Sequence, residues 1–416
     1  MARVLVVITP AEGHVNPSLG LITELVKLGE EVVYVCAEEY RSRIEQTGAQ
    51  VMTYPFLVDA FSHDPILKPL EYRHPYQFIH MITCGVIPKM IPEVLRVIED
   101  ETFDYLIYDS LMGWGGRILA EKLEIPAVCT IASFASVEPL SINEEGIDTQ
   151  EMYEAIMQTA REIAAEHQVS IPAVEDMTAH TGLLNIVYSS RYFQPRADEL
   201  DDRFLFTGSS IIPRKDAPEF PFHLLSERHP ETVYISMGTI LNKSLEFYKL
   251  CFEALKNLPI NVVLSSGKYT EIESLEELIP DNFIVKSYVA QIELLQHTNV
   301  FVTHAGMNSV SEALYFDVPL VMIPMTSDQP MVAGRVKELG AGVVLDQHHL
   351  NAIQLQEAVM EVLHNPIYKE KAHLIGKSLR EAWRLHTCCG NHYATICQGI
   401  MRSLSLSTAI MNNISI

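Results

Sequence analysis

"FVTHAGMNSVSEALYFDVPLVMIPMTSDQP", residues 301–330, contains two apolar runs, each ending in polar residues at a turn. The first reads as a buried strand ending at His304. Gly306 then makes the turn, and Asn308 and Ser309 open a helix. That order points several backbone N–H groups and the positive end of a helix dipole at whatever anion occupies the crevice beyond the strand. His304 adds a further donor for phosphate. Glu312 lies on the following helical turn, where a carboxylate accepts hydrogen bonds from ribose hydroxyls. Asp328 and Gln329 follow the next strand as "SDQ", and a carboxylate beside an amide supplies both acceptors and donors for a cluster of sugar hydroxyls. Each piece alone has a plainer reading: a ligand-free βα turn, a solvated helix residue, a helix cap. Their order and spacing carry the signal.

Further strand-like runs surround this stretch: "TVYISMG" (232–238), "INVVLSSG" (260–267), "FIVKSYV" (283–289), "VPLVMIP" (318–324) and "AGVVL" (341–345). Helical patterns fall between them at about 245–257, 308–315, 331–339 and 351–363. The first half repeats the alternation with "RVLVVI" (3–8), "EVVYVC" (31–36), "YLIYDS" (105–110) and "AVCTIA" (127–132). Continuous apolar strands separated by helices predict parallel sheets covered on both faces. The expected class is therefore α/β, with two Rossmann-like domains facing across a cleft. The Pro- and charge-rich segment 208–230 reads as the linker, which places the domains at 1–215 and 216–385.

A chain of 416 residues suits two domains of about 200 residues each. Hydrophobic residues make up 48% and charged residues 20%, the balance of a globular protein. The net charge of −23, with no basic run to offset it, argues against nucleic acid and anionic membrane as partners. Any bound phosphate must then be held by local dipoles. The seven cysteines include no CxxC pair, as expected of reduced thiols, and "HTCCGNH" (386–392) lacks metal-ligand spacing. No metal or cofactor is expected. The N-terminal apolar run lacks a small-residue cleavage site, and no stretch reads as long enough to span a bilayer, so a cytoplasmic location is expected. No G-x-G-x-x-G follows the first strand and no Walker loop occurs, which removes the main support for a nicotinamide enzyme or a P-loop NTPase.

The first strand empties into "ITPAEGHVNPSLGL" (8–21). Asn16 reads as an N-cap and Pro17 as the first helical residue, so the helix is predicted to begin just after His14. His14 then hangs at the carboxyl edge of the sheet, where α/β folds bind ligands. Two less regular stretches, 61–100 and 134–180, are rich in aromatic and methionine residues. Phe61, Met81, Met112, Trp114 and Phe134 each suit core packing, and together they suit the lining of an apolar acceptor cavity.

"HAGMNSVSEAL…VPLVMIPMTSDQ" resembles the donor-binding signature of the family-1 UDP-dependent glycosyltransferases with the GT-B fold, of the bacterial macrolide and flavonoid type. "GHVNP" is similar to the same family's acceptor-side loop, and the correspondence runs in order from residue 3 to about 385. The resemblance implies an inverting transfer of glucose from UDP-glucose, as co-substrate, to a hydroxyl of a flavonoid, phenolic, macrolide or terpenoid. It implies His14 as the general base and Asp109 as the residue that orients and stabilises it. His304 and the segment Gly306, Met307, Asn308 and Ser309 would hold the diphosphate. Glu312 would take the ribose, and Asp328 and Gln329 the donor sugar. Ser236 and Thr239 would approach the phosphate and sugar, and Val289 and Gln291 would sit at the uracil. Tyr288-Val289-Ala290-Gln291 stands where the family often has Trp-x-Pro-Gln. Residues 386–416 would form a helix crossing back to the first domain and a tail.

The chemistry fits these residues. A histidine, ordinarily titrating near pH 6.5, accepts a hydroxyl proton at neutral pH, and a carboxylate behind it fixes the tautomer. The acidic run "DELDD" (198–202) reads as a surface turn rather than a metal-binding motif. Metal-independent chemistry is therefore expected, with the helix start near Asn308 and His304 carrying the leaving group's charge. A monomer or weak dimer is expected. The rival readings are a nucleotide-sugar epimerase or hydrolase of the same fold and a non-catalytic binding protein; neither has a clear use for a His14–Asp109 pair.

Overall fold

In the computed structural model, which describes residues 1–55, 75–136, 149–179, 182–211, 219–238, 244–267, 270, 272–326 and 328–387, the apolar runs become short strands in two all-parallel sheets. The chain divides into two compact units. One holds Met1–Ser189 and Arg196–Ser210 and takes in the described residues from Ala382; the other holds Ser190–Pro195 and Ile211–Glu381.

The first unit carries β1 (Arg3–Val7), β2 (Glu31–Cys36), β3 (Gln50–Thr53), β4 (Tyr105–Asp109), β5 (Ala127–Ile131), β6 (Leu184–Val187) and β7 (Phe204–Phe206), in the order β3-β2-β1-β4-β5-β6-β7. Val4 to Val7 of β1 are fully buried, because helices cover both faces of the sheet. The order reverses between β1 and β4, where Val7 lies beside Tyr108. At such a switch point the loops leaving neighbouring strands run to opposite sides and open a crevice at the carboxyl edge.

The second unit repeats the scheme with β8 (Thr232–Ser236), β9 (Asn261–Ser265), β10 (Phe283–Lys286), β11 (Val300–Thr303), β12 (Leu320–Met322) and β13 (Gly342–Val344), ordered β10-β9-β8-β11-β12-β13. Its reversal lies between β8 and β11, with Ser236 beside Thr303. Each unit thus places its first and fourth strands side by side, and each switch point receives residues singled out from the sequence.

Several expectations are corrected. The helix after β1 runs Glu12–Lys27, so His14 sits inside its first turn rather than ahead of it, and Pro17 lies within the helix. Asn16 is not a cap. Its amide donates to Glu12 Oε2 at 2.9 Å, and both side chains accept from Arg43 Nη1, at 2.6 Å for Glu12 and 2.8 Å for Asn16. This polar network outweighs the local capping signal. The helical stretch Tyr76–Val97 is long and apolar enough to cross a membrane, with a mean hydropathy of 1.4, contrary to the expectation that no stretch is. Half of it is buried, and Ile79, Ile82, Ile87, Ile91 and Val94 form part of the first unit's core. Core burial accounts for its apolarity. Strands β3, β6 and β7 were not foreseen: they are short, and β3 is one edge of the sheet and β7 the other. Phe61, Thr239, part of the linker and residues 388–416, including most of the expected crossing helix and of "HTCCGNH", lie outside the described residues.

Candidate active site

At the first unit's switch point, β4 ends in Asp109 and the loop from β1 returns His14 on the first turn of its helix. His14 Nδ1 lies 2.8 Å from Asp109 Oδ2. The aspartate is buried, its side chain only 2% exposed, whereas that of His14 is 23% exposed. The other carboxylate oxygen is also engaged. Asp109 Oδ1 accepts from the Leu111 backbone N–H at 2.7 Å and from the Thr9 hydroxyl at 3.3 Å. Because a carboxylate is an acceptor, Nδ1 must carry the proton, which leaves Nε2 as the basic nitrogen. The short helical turn after β4 aims the Leu111 N–H: Asp109 caps it with its own side chain. Thr9 was not singled out from the sequence; its position at the carboxyl edge of β1 is the signal that was available.

The second unit's switch point gathers the donor motif. His304 follows β11, and the helix Met307–Tyr315 starts three residues after it, N-capped by Gly306. Between them Ala305 is fully buried at φ +66°, a conformation costly for a residue with a Cβ, and it turns the chain sharply from strand to helix. The imidazole is wedged between two glycines. A Cβ on Gly306 would come within 2.5 Å of His304 Nε2, and one on Gly238, itself at φ +78°, within 2.7 Å of Cε1. Only hydrogen at both positions lets the ring lie at the helix start. Burial pushes the imidazole down to about 4, against the Asp328 carboxylate and a hydrogen bond with the Ser236 backbone, which both favour the charged form. At neutral pH His304 is therefore uncharged beside the helix N-terminus, not a cation, and its single N–H is the one given to the Ser236 backbone carbonyl.

Behind this turn lies a buried polar chain. Gln291 Nε2 donates to Glu312 Oε2 at 2.7 Å, and the Tyr234 hydroxyl meets Gln291 Oε1 at 3.2 Å. Glu312 is 6% exposed, so its reading as a solvated helix residue is excluded. Asp328 precedes the helix Gln329–Glu338, and Gln329 is buried with its carbonyl accepting from the backbone N–H groups of Met325 and Thr326, at 2.9 and 3.2 Å. One end of that amide thus shapes the loop. Asn308 and Ser309 are partly exposed in the first turn of their helix, while Ser236, Met307 and Val289 are buried. Met307 packs inward and takes a contact from the Ser311 hydroxyl at 3.5 Å. Val289 is 3% exposed, so its side chain offers a base almost no surface.

The acceptor-lining expectations fare differently. Met112 and Trp114 are 0% and 1% exposed and belong to the first unit's hydrophobic core, so they pack the fold rather than line an open cavity. Phe134 is also buried, and Met81 is partly buried against the same core. Among the described residues, no group of three or more His, Cys, Asp or Glu side chains is placed to hold a metal ion.

Two parallel sheets with polar clusters at equivalent switch points invite comparison with known proteins. The sequence model of the UDP-glucoronosyl and UDP-glucosyl transferase family matches residues 214–379. An uncharacterized UDP-glucosyltransferase of Bacillus subtilis (strain 168), YojK, is 36% identical over 391 residues, covering 92% of this chain and 94% of that protein. The chain belongs to this family. A second Bacillus subtilis (strain 168) relative of the glycosyltransferase, the NDP-glycosyltransferase YjiC, is 32% identical over 375 residues, 90% of this chain and 92% of that one. The solved glycotransferase of kitacinnamycin superposes with a TM-score of 0.79 at 25% identity, covering 97% of this chain and 99% of its own. The fold is therefore GT-B, and the chain is a family-1 glycosyltransferase of the bacterial type.

Proposed function

We propose that this glycosyltransferase is an inverting, metal-independent enzyme that moves glucose from UDP-glucose to a hydroxyl of an apolar small molecule such as a flavonoid, phenolic, macrolide or terpenoid. The observation that carries the reading is the 2.8 Å contact between His14 Nδ1 and the buried Asp109 carboxylate. An unactivated hydroxyl is a poor nucleophile and needs a base with a fixed tautomer. His14 Nε2 removes the acceptor proton as its oxygen attacks C1 of glucose. The C1–O bond to the diphosphate breaks with its electron pair going to the β-phosphate oxygen. Attack from the face opposite the leaving group converts an α-linked donor into a β-glucoside. Asp109 stabilises the imidazolium that forms.

The leaving UDP needs its growing charge spread. The N–H groups opening the helix Met307–Tyr315, beside the uncharged His304 ring, supply donors for this, a preorganised arrangement that takes the place of a cation. Glu312 accepts from the ribose hydroxyls, and Asp328 with the free end of the Gln329 chemistry, its amide donor, addresses the sugar.

The test is mass spectrometry of product formed from UDP-glucose and a panel of polyphenols with chelator present, comparing wild type with His14→Ala. A hexose added by the wild type and lost in the variant supports the reading. Donor hydrolysis or epimerisation without transfer, alike in both proteins, would overturn it. A parallel reaction with dTDP-glucose reads the base preference.

A further inference from the structure

Tyr234 lies in the middle of β8 and is 1% exposed. Its cross-strand partner is Phe301 of β11, and the two rings stack with centroids 4.6 Å apart and planes 10° from parallel. The stack fixes where the phenol oxygen ends, and there it meets Gln291 Oε1 at 3.2 Å. Gln291, the first residue of the helix Gln291–Leu295, is itself buried and turns its Nε2 to Glu312 Oε2 at 2.7 Å. The direction of this chain follows from donor and acceptor chemistry. A carboxylate accepts, so the amide must present its NH2 to Glu312; its carbonyl then faces Tyr234, which must donate.

We infer that Tyr234 is a positioning residue for ribose recognition: its hydroxyl orients the Gln291 amide, which aims the Glu312 carboxylate at the ribose hydroxyls and makes the site prefer a ribonucleotide over its 2′-deoxy counterpart. This rests on the proposed role of Glu312 as the ribose-binding side chain. Removing the phenol oxygen leaves the buried Gln291 carbonyl without its donor. An amide that has lost this donor is held less firmly, and with it the one Glu312 oxygen that it orients. A carboxylate so loosened loses its bond to the 2′-hydroxyl, while phosphate and base contacts, made elsewhere in the unit, remain.

The experiment is calorimetric titration of the full chain with UDP and with 2′-deoxy-UDP, for wild type and Tyr234→Phe. Phenylalanine keeps the stack on Phe301, and thermal melts confirm that the variant is folded. A hydrogen bond to a charged group corresponds to about tenfold in affinity, so the wild type should prefer UDP by about that factor. Tyr234→Phe should shrink the ratio to about twofold by weakening UDP alone. With UDP-glucose as substrate, KM should rise several-fold at unchanged kcat. A parallel loss of affinity for both nucleotides, or an unchanged ratio, overturns the positioning role. A wild type that binds both nucleotides equally shows instead that the ribose reading of Glu312 has failed, and one that binds neither refutes the UDP donor.

Discussion

Replacing Asp109 with asparagine, which keeps its shape, puts the base mechanism under direct stress. Oδ1 of Asp109 faces two donors, the Leu111 N–H at 2.7 Å and the Thr9 hydroxyl at 3.3 Å. The asparagine carbonyl must occupy that place, which turns the new NH2 toward His14 Nδ1. Nδ1 then accepts, and the ring proton moves to Nε2, where the acceptor's proton has to go. The base is blocked by its own tautomer. The alternative is to flip the amide, setting NH2 against the Leu111 N–H. That forfeits a charge-assisted hydrogen bond, costing about 1.5–3 kcal/mol, and leaves a buried donor unpaired, costing about 1–3 kcal/mol. The sum, about 2.5–6 kcal/mol, corresponds to a loss of about a hundred- to ten-thousandfold in kcat. The equivalent change in a Ser-His-Asp hydrolase costs about ten-thousandfold, the upper end of that range. Affinity for UDP should stay within twofold of wild type, because the donor motif lies in the other unit. The assay is chromatographic measurement of initial rates of glucoside formation at saturating UDP-glucose, alongside calorimetric titration with UDP. An asparagine variant retaining more than a tenth of wild-type kcat would refute the reasoning.

Gly306→Ala and Gly238→Ala should each push the His304 ring from the helix start, since the added Cβ would lie 2.5 or 2.7 Å from it. UDP affinity, read by calorimetry, should fall about tenfold or more with the fold intact, as for a lost charge-assisted hydrogen bond. His304 makes stability pH-dependent. Unfolded it takes a proton near pH 6.5 and folded only near 4, so between these values the unfolded chain binds more protons and stability falls as pH drops. Denaturant midpoints at pH 7 and pH 5 should show the wild type losing about 2 kcal/mol more than His304→Gln; equal losses would contradict the burial argument. Trp114→Ala should cost about 3–5 kcal/mol of stability, because the indole is core. An unchanged melting curve with altered acceptor preference would instead restore Trp114 to the acceptor site.

The alternation of apolar strands and helices was legible because it is local. Strands buried on both faces must be apolar throughout, so "RVLVVI" and "FVTH" announce parallel sheets without knowledge of their neighbours. The polar residues at the ends of those runs, His304 and Asp328 among them, fall on the carboxyl edge by the same argument. Position alone left His14 an open question, which the family resemblance resolved by pairing it with Asp109. Other features depend on contacts the one-dimensional pattern does not hold. The Asp109 carboxylate meets Thr9 across 100 residues of chain, and Tyr234 reaches Gln291 across 57. Both contacts are products of sheet order: β4 lies beside β1, and β11 brings Phe301 beside Tyr234. The start of the helix at Glu12 was misread because Arg43, from a later helix, draws Asn16 into a network that overrides its capping preference. Met112 and Trp114 have the composition of a ligand cavity and the burial of a core, and burial is decided by what packs against a side chain. The sequence by itself therefore determined the fold class and the polar edges where chemistry takes place, since both follow from neighbours along the chain. Tertiary structure alone decided which oxygen of Asp109 faces His14, which way the Gln291 amide points and whether His304 carries a charge, since each depends on groups brought together from distant segments.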